Sequence, residues 1–223
     1  MTKKLRLVIA TIFCVVLNVQ AQDKFDFGLK AGANYSKLLD YVNDSKNKVG
    51  FQVGGYMRYS ISEKIRLQPE LLFSFEGGKS DFNFEGTNQS IMLKENISLG
   101  FINLPVMFQY KIYNGLHFEL GPQIGYMVLA ENKYEAKFDF GEIPIEDEGT
   151  TNIIEDFNKL QFSANVGLHY DINHSFFVQF RYNRGFSKLV KSSVEQIGGE
   201  LDEIVDYNKI RNQSFTLGLG FKF

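Results

Sequence analysis

Apolar and polar residues alternate with a period of two along most of this chain, and the pattern recurs eight times. In the last repeat, apolar residues occupy every odd position from Phe215 to Phe223, whereas even positions hold Gly218, Gly220 and Lys222. Alternation of this kind predicts a β-strand with one apolar face. The pattern predicts strands over residues 25–35, 51–59, 65–75, 97–110, 117–128, 160–170, 176–183 and 214–223.

The fourth repeat changes phase. Its apolar residues are odd at Ile97 and Leu99 but even at Leu104 and Val106. A β-bulge near Phe101–Ile102 would shift the alternation by one residue and keep the apolar side chains on one face.

The connections between the predicted strands alternate in length. Residues 37–48, 77–95, 131–158 and 188–209 form long segments, whereas the turns at 62–64, 111–115 and 171–174 are short. Outer-membrane barrels have short periplasmic turns and long outer loops. The predicted fold is therefore all-β, an eight-stranded antiparallel up-and-down transmembrane β-barrel, with both termini on the periplasmic side.

Aromatic residues mark both ends of the apolar face. One predicted belt contains Phe25, Tyr59, Tyr110, Phe118, Tyr170, Phe176 and Phe223, and the other contains Tyr35, Phe51, Phe75, Tyr126, Phe162, Tyr182 and Phe215. Such belts are typical of membrane interfaces. The alternative is a soluble lipocalin-like barrel, whose apolar face lines a ligand cavity. Glycines on the polar face, such as Gly28, Gly54, Gly121 and Gly167, favour a crowded polar lumen over a solvated outer surface.

A secretory leader is predicted at the start of the chain. Lys3, Lys4 and Arg6 precede an apolar run over 7–19, and Ala21 ends a plausible cleavage site. This divides the chain into a cleaved signal peptide, 1–21, and a barrel domain, 22–223. Removing the leader also removes the single cysteine, Cys14, and changes the formal charge from -2 to about -5. A mildly acidic chain of this kind argues against nucleic acid as a partner.

Four strings resemble strands of the PorT-like outer-membrane β-barrel family. They are Leu-Gln-Pro-Glu-Leu-Leu at 67–72, Gly-Pro-Gln-Ile-Gly-Tyr at 121–126, Arg-Tyr-Asn-Arg-Gly-Phe at 181–186 and Gly-Leu-Gly-Phe-Lys-Phe at 218–223. Their order spans nearly the whole mature chain. Asn103 departs from the family, which often has a glutamate there. The resemblance implies an outer-membrane barrel, a family in which one named member supports type IX protein secretion, and it offers no catalytic residues.

Seven charged residues fall on the predicted lumen face, namely Lys30, Arg58, Arg66, Glu70, Glu119, Arg181 and Lys222. Charges inside a narrow barrel must pair. Because eight strands enclose just enough space for their own side chains, we expect a plug of salt bridges rather than an open pore. A gated path for small ions is the alternative.

Catalytic chemistry has little support in the sequence. His117 and His169 fall on the lumen face, and His174 falls in a short turn. An arrangement of Ser163 and His169 is conceivable for an enzyme that modifies lipid, but no Gly-x-Ser-x-Gly motif accompanies it. We therefore predict no catalytic, cofactor-binding or metal-binding residue, and no cofactor.

The third long segment is acidic. Residues 131–158 contain nine carboxylates and two lysines. A solvated loop is the simplest explanation, and calcium binding or contact with a basic partner are alternatives. The sequence predicts a monomeric, non-enzymatic barrel that contacts outer-membrane lipids and has a structural or interaction role, with proteins of the envelope or a secretion complex as candidate partners.

Overall fold

The computed structural model describes residues 24–39, 45–86, 89–139, 145–191 and 210–223. Signal peptide 1–21 and Cys14 lie outside these residues. The strands are β1 (Phe25–Leu39), β2 (Ser45–Ser60), β3 (Ile65–Gly86), β4 (Gln89–Tyr113), β5 (Leu116–Asp139), β6 (Ile145–Asn152), β7 (Leu160–Asp171), β8 (Phe176–Gly185) and β9 (Arg211–Lys222). None of the helical structure in the described ranges has the length and apolar content needed to cross a membrane.

Eight of the nine strands in the described ranges form a closed antiparallel ring. Each ring strand pairs with its neighbour in the chain, except that β5 pairs with β7 across the intervening β6. The ring closes where β1 pairs with β9, for example Ala31 opposite Leu219. This confirms the predicted eight-stranded antiparallel barrel. We call the end with the short connections the turn end and the opposite end the loop end.

Two segments predicted as loops continue as strands. β3 and β4 remain paired from Gly77 opposite Ser98 to Gly86 opposite Gln89. β5 continues to Asp139 and pairs there with both β4 and β6. The loop assignments at 77–95 and 131–158 are therefore wrong over most of their length. Alternation continues through both segments, and cross-strand pairing satisfies their backbone groups away from the ring.

The predicted phase change in β4 is also wrong. From Ile97 to Gln109 its odd residues face the lumen, so Ile97 and Phe101 are buried inside the barrel rather than facing outward. The ladder between β4 and β5 does shift register between Gly100 and Phe101, but the extra residue is Val128 of β5. The bulge therefore lies close to the predicted position, on the neighbouring strand.

The two faces of the ring have the predicted polarity. Apolar side chains such as Leu219, which is 62% exposed, point outward, and Lys30, Glu70 and Arg181 are buried inside. The soluble lipocalin-like alternative is wrong, since its lumen would be apolar. Phe118 and Tyr126, one from each aromatic belt, are eight residues apart on β5. That spacing is about 26 Å along the strand, or about 20 Å along the axis at a usual tilt. It is close to the height of about 25 Å that is usual for a membrane-facing apolar band.

Candidate functional site

Four buried charges meet at the centre of the lumen, and we call them the charged quartet: Lys30, Glu70, Glu119 and Arg181. Arg181 donates to Glu70 from Nη1 and Nη2 at 2.8 and 2.7 Å, and to Glu119 from Nε and Nη2 at 2.5 and 3.0 Å. Lys30 Nζ donates to Glu70 Oε2 at 2.7 Å. The quartet carries two positive and two negative charges, so its net charge is zero.

Glutamines complete the hydrogen bonding of the quartet. Gln68 donates to Glu70 at 2.7 Å, Gln109 donates to Glu119 at 3.0 Å, and Gln179 accepts from Lys30 at 3.1 Å. All three glutamines are at most 2% exposed. Buried ion pairs need such additional partners to offset the cost of removing charge from water. The predicted plug of salt bridges is therefore confirmed in the middle of the barrel.

A second group, the turn-end cluster, surrounds Asp171. Its carboxylate accepts from Arg66 Nη1 at 2.8 Å and lies 3.5 Å from Arg58 Nη1. His169 Nε2 lies 2.9 Å from Asp171 Oδ1 and 3.1 Å from Arg58 Nη2. His117 and His169 are lumenal, as predicted, with ring centroids 5.8 Å apart. The cluster lies beside a cavity of about 420 Å³ at the turn end.

Lys222, the seventh predicted lumen charge, lies at the rim of this cavity. Its Nζ is 3.4 Å from Asp26 Oδ1, and its side chain is about a third exposed. The other six predicted lumen charges belong to the charged quartet or the turn-end cluster. Every one of the seven therefore has an oppositely charged neighbour inside or at the mouth of the barrel.

A polar layer with many amide side chains lies between the charged quartet and the loop end, and we call it the amide layer: Asn103, Gln123, Asn165, Asn183, Asn212, Ser74, Glu76 and Ser163. Asn103 donates to Ser74 Oγ at 2.8 Å, and Ser74 donates to Glu76 Oε1 at 3.1 Å. On the opposite wall, Asn183 donates to Ser163 and Asn165 at 3.0 Å each. A cavity of about 20 Å³ lies within this layer.

An apolar cluster closes the lumen at the loop end, and we call it the apolar cap: Leu38, Ile97, Leu99, Phe101, Met127, Ala130, Phe157, Leu189, Val190 and Ile210. The segment after β6 forms a short 3-10 helix, Ile154–Asp156, before Phe157 forms a β-bridge with Val190. Leu99, Leu189 and Ile210 are completely buried. The lumen therefore contains an apolar layer at its loop end, next to the polar layers in the middle of the barrel.

The structure separates Ser163 from His169. They are six residues apart on β7, which places them about 20 Å apart along the strand. Ser163 accepts from Asn183 in the amide layer, whereas His169 contacts Asp171 near the turn end. His174 lies in the short turn, at the edge of the turn-end cavity. A serine–histidine pair built from these two residues is therefore not formed.

The extended strands make a four-stranded loop-end sheet, consisting of residues 77–86, 89–96 and 131–139 together with Ile145–Asn152. One face is apolar, because cross-strand partners there are Phe82 with Leu93, and Phe84 with Ile91. Phe82 is 50% exposed and Ile145, on the edge strand, is 58% exposed. The sheet therefore presents an apolar surface beyond the ring.

The other face of the loop-end sheet is charged. Lys94 lies opposite Asp81 and Glu135, and Lys137 lies opposite Glu146. The hydrogen bond that Lys137 Nζ donates to Glu146 Oε1, 2.7 Å long, raises the pKa of Lys137 above its ordinary value. The acidic segment 131–158 is therefore partly neutralised by Lys137 within it and by Lys94 of the neighbouring strand. Within the described ranges, no group of three His, Cys, Asp or Glu side chains is placed to hold a metal ion.

Comparison with protein families decides the class of this barrel. The sequence profile of the outer membrane protein beta-barrel domain matches residues 20–191. The chain belongs to this family. A location in the outer membrane follows for the barrel, whereas the finer resemblance to PorT-like proteins stays a prediction.

Several solved outer-membrane proteins have a similar fold. Ail, the attachment invasion locus protein of Yersinia pestis, is 14% identical, with 90% of this chain and 99% of that chain covered and a TM-score of 0.42. Neisserial surface protein A is 13% identical, with 88% and 97% covered and a TM-score of 0.43. A major outer membrane protein from Thermus thermophilus is 13% identical, with 89% and 99% covered and a TM-score of 0.46. A comparison with curated proteins finds no match.

Sequence reasoning missed part of this interior. Asp171 falls in the predicted turn at 171–174, and Glu76 falls between the predicted strand at 65–75 and the predicted loop at 77–95, so neither is among the predicted lumen charges. Continuing the alternation of β3 beyond residue 75 places Glu76 on the lumen face with Glu70, so the signal was present. The apolar cap had no comparable signal, because Phe157, Leu189 and Ile210 lie outside the alternating repeats.

Proposed function

We propose that this outer-membrane barrel is a non-enzymatic structural or interaction protein that contacts a partner through its loop-end sheet. The single observation that carries this proposal is the exposed apolar face of that sheet. Monomeric proteins rarely expose large contiguous apolar surfaces unless these bind something. The face lies outside the ring, so burial in the barrel does not account for it.

The filled lumen supports a role outside the barrel rather than within it. The charged quartet, the amide layer and the apolar cap occupy successive levels of the interior. Porin-like conduction needs a continuous aqueous channel, which barrels with many more strands provide. Permeation through this lumen would require several buried charges and the apolar cap to separate together.

We further propose that the turn end faces the periplasm and the loop-end sheet faces the cell exterior. Short turns at one end and long extensions at the other support this orientation. The test uses two single-cysteine variants of the mature chain, Asn83→Cys in the loop-end sheet and Asn114→Cys in a turn. In intact cells, a membrane-impermeant maleimide should label only Asn83→Cys, and both variants should react after the outer membrane is opened. Labelling of Asn114→Cys alone in intact cells would reverse the orientation.

The interaction role predicts that the two faces of the sheet differ in function. A strain lacking the protein is complemented with the wild-type chain, with Phe82→Ser/Ile145→Ser on the apolar face, or with Asn83→Ser/Glu146→Ser on the charged face. We expect the apolar-face variant to reach the outer membrane but to lose the cross-linked complex formed by the wild type in cells. The charged-face variant should retain the complex. Equal cross-linking by all three proteins would remove the apolar face from the proposal.

A role in type IX protein secretion is the more specific form of the proposal. Its support is the resemblance of strings in β3, β5, β8 and β9 to the PorT-like family. Comparing secreted proteins from cells with and without the chain tests it. Loss of a whole set of secreted proteins, restored by complementation, would support export. An unchanged set, with the protein still in the outer membrane, would leave a structural or surface role.

A further inference from the structure

Glu76 is a buried carboxylate inside the barrel that has no cationic partner among the described residues. Glu76 is only 7% exposed. Among the described residues, no Lys, Arg or His nitrogen lies within 4.0 Å of its oxygens. Its hydrogen bonds come from two neutral groups, the hydroxyl of Ser74 and the amide nitrogen of Asn212. The other described carboxylates of the lumen, Glu70, Glu119 and Asp171, are each paired with arginine or lysine.

The charged quartet is too far away to neutralise Glu76. Glu70 and Glu76 are six residues apart on β3, a separation of about 20 Å along the strand. Phe101 of the apolar cap lines the same cavity as Glu76, so the carboxylate lies just beneath apolar side chains. An isolated ionised carboxylate in such a place is costly, and it must gain either a proton or a cation.

Amide side chains line the cavity next to Glu76. The amide nitrogens of three lining residues donate to other groups. Asn103 donates to Ser74, and Asn183 donates to Ser163 and Asn165. Gln161 donates to the Asn158 carbonyl. Their oxygens are therefore the ends left for another ligand, and all three residues line the cavity. Asn212 also lines the cavity, and its buried Oδ1 accepts no hydrogen bond from the described residues.

We propose that this cavity binds a single monovalent metal cation, sodium or potassium, between the Glu76 carboxylate and the amide oxygens of the layer. Hard cations bind carboxylate and carbonyl oxygens, as these residues supply. A volume of about 20 Å³ accommodates one water-sized particle, and a bare sodium or potassium ion is no larger. One carboxylate neutralises one positive charge, whereas calcium sites usually combine several carboxylates.

The first test measures thermal unfolding of the detergent-solubilised full barrel in chloride salts of sodium, potassium or N-methylglucamine at one ionic strength. N-methylglucamine screens charge equally but is too large for the cavity. We expect the midpoint of thermal unfolding to be about 3–6 °C higher in sodium or potassium than in N-methylglucamine, when the metal ion is present at ten times its dissociation constant. The salt that gives the larger rise identifies the ion.

Two variants tie the effect to the site. Glu76→Gln keeps the size and hydrogen-bonding ability of the side chain but removes its charge, so its midpoint should be the same in all three salts. Glu85→Gln is the matched control, an exposed glutamate on the same strand, and it should respond like the wild type. Because the readout is the difference between salts, a change in the overall stability of Glu76→Gln does not affect the conclusion.

Anomalous scattering from crystals grown in rubidium chloride or thallium acetate gives an independent test. A peak bounded by Glu76 and Asn212, absent in Glu76→Gln, would establish the site. The proposal is overturned by equal wild-type midpoints in small and bulky cations, since Glu76 would then be held as a neutral acid. It is also overturned if Glu76→Gln keeps the wild-type response.

Discussion

Replacing Arg181 by methionine should destabilise the barrel severely. Arg181 donates four hydrogen bonds to two carboxylates and its side chain is 4% exposed. Without it, Glu70 keeps Lys30 and Gln68, but among the described residues Glu119 keeps only the hydrogen bond from the Gln109 amide. Removing one partner from a buried ion pair costs about 3–5 kcal/mol. We expect Arg181→Met to lie at the upper end of that range, because one arginine serves two anions.

A double variant separates loss of charge balance from loss of packing. Arg181→Met/Glu119→Gln returns the net charge of the site to zero and keeps the Lys30–Glu70 pair. It should therefore be more stable than Arg181→Met alone, with a coupling of about 2–3 kcal/mol. The control is Arg184→Met on the same strand. Among the described residues Arg184 donates only to Gln213, so this substitution should cost below about 1 kcal/mol.

Urea unfolding in lipid vesicles measures these free energies. Since the chain has no tryptophan, circular dichroism or the gel shift of the folded barrel follows the transition. The reasoning is refuted if Arg181→Met loses less than about 1 kcal/mol, or if the losses from Arg181→Met and Glu119→Gln simply add in the double variant.

Three further predictions use stability or assembly as the readout. Leu219→Arg puts a charge on the lipid-facing side near the middle of the barrel and should cost about 2–4 kcal/mol of folding free energy. The cost should appear as a lower folded fraction in vesicles, whereas the control Leu93→Arg on the loop-end sheet should fold normally. Gly220→Val should destabilise the barrel by about 1–3 kcal/mol, because a side chain at this position overlaps the Phe177 ring. Adding Phe177→Ala should make the loss caused by Gly220→Val smaller. An equal loss in the presence of Phe177 and of Ala at position 177 would contradict the overlap. Leu189→Ala should cost about 2–5 kcal/mol in urea unfolding, because Leu189 is completely buried in the apolar cap. The control Leu93→Ala should cost much less. Similar losses from the two variants would mean that the cap is not well packed.

The ring was predictable from the sequence because its eight strands each bury one kind of side chain and expose the other. Arg181 and Glu119 could be placed in the lumen from alternation alone. Which charges pair could not be predicted, since pairing depends on the register across strands that are far apart in the chain. Arg181 and Glu70 are 111 positions apart, and only the assembled ring brings them together.

The loop end was harder to predict for two physical reasons. Phe82 and Leu93 alternate as strand residues do, but their segment is rich in charged and polar residues that are also typical of loops. Ile97 and Phe101 have the composition of lipid-facing residues and yet lie inside, because residues beyond the ring supply an apolar partner at Leu189. A period-two pattern gives the two faces of a strand, and it does not say whether lipid or another part of the chain covers the apolar one.

The charged quartet also constrains the order of assembly. Its members come from β1, β3, β5 and β8, and Lys30 reaches Gln179 across 149 positions of the chain. A strand that entered the bilayer alone would expose its lysine, glutamate or arginine, and its unpaired backbone groups, to hydrocarbon. Both costs disappear only when distant strands have paired. The barrel therefore cannot cross the bilayer strand by strand, and its strands must register into a nearly complete ring before or while they enter.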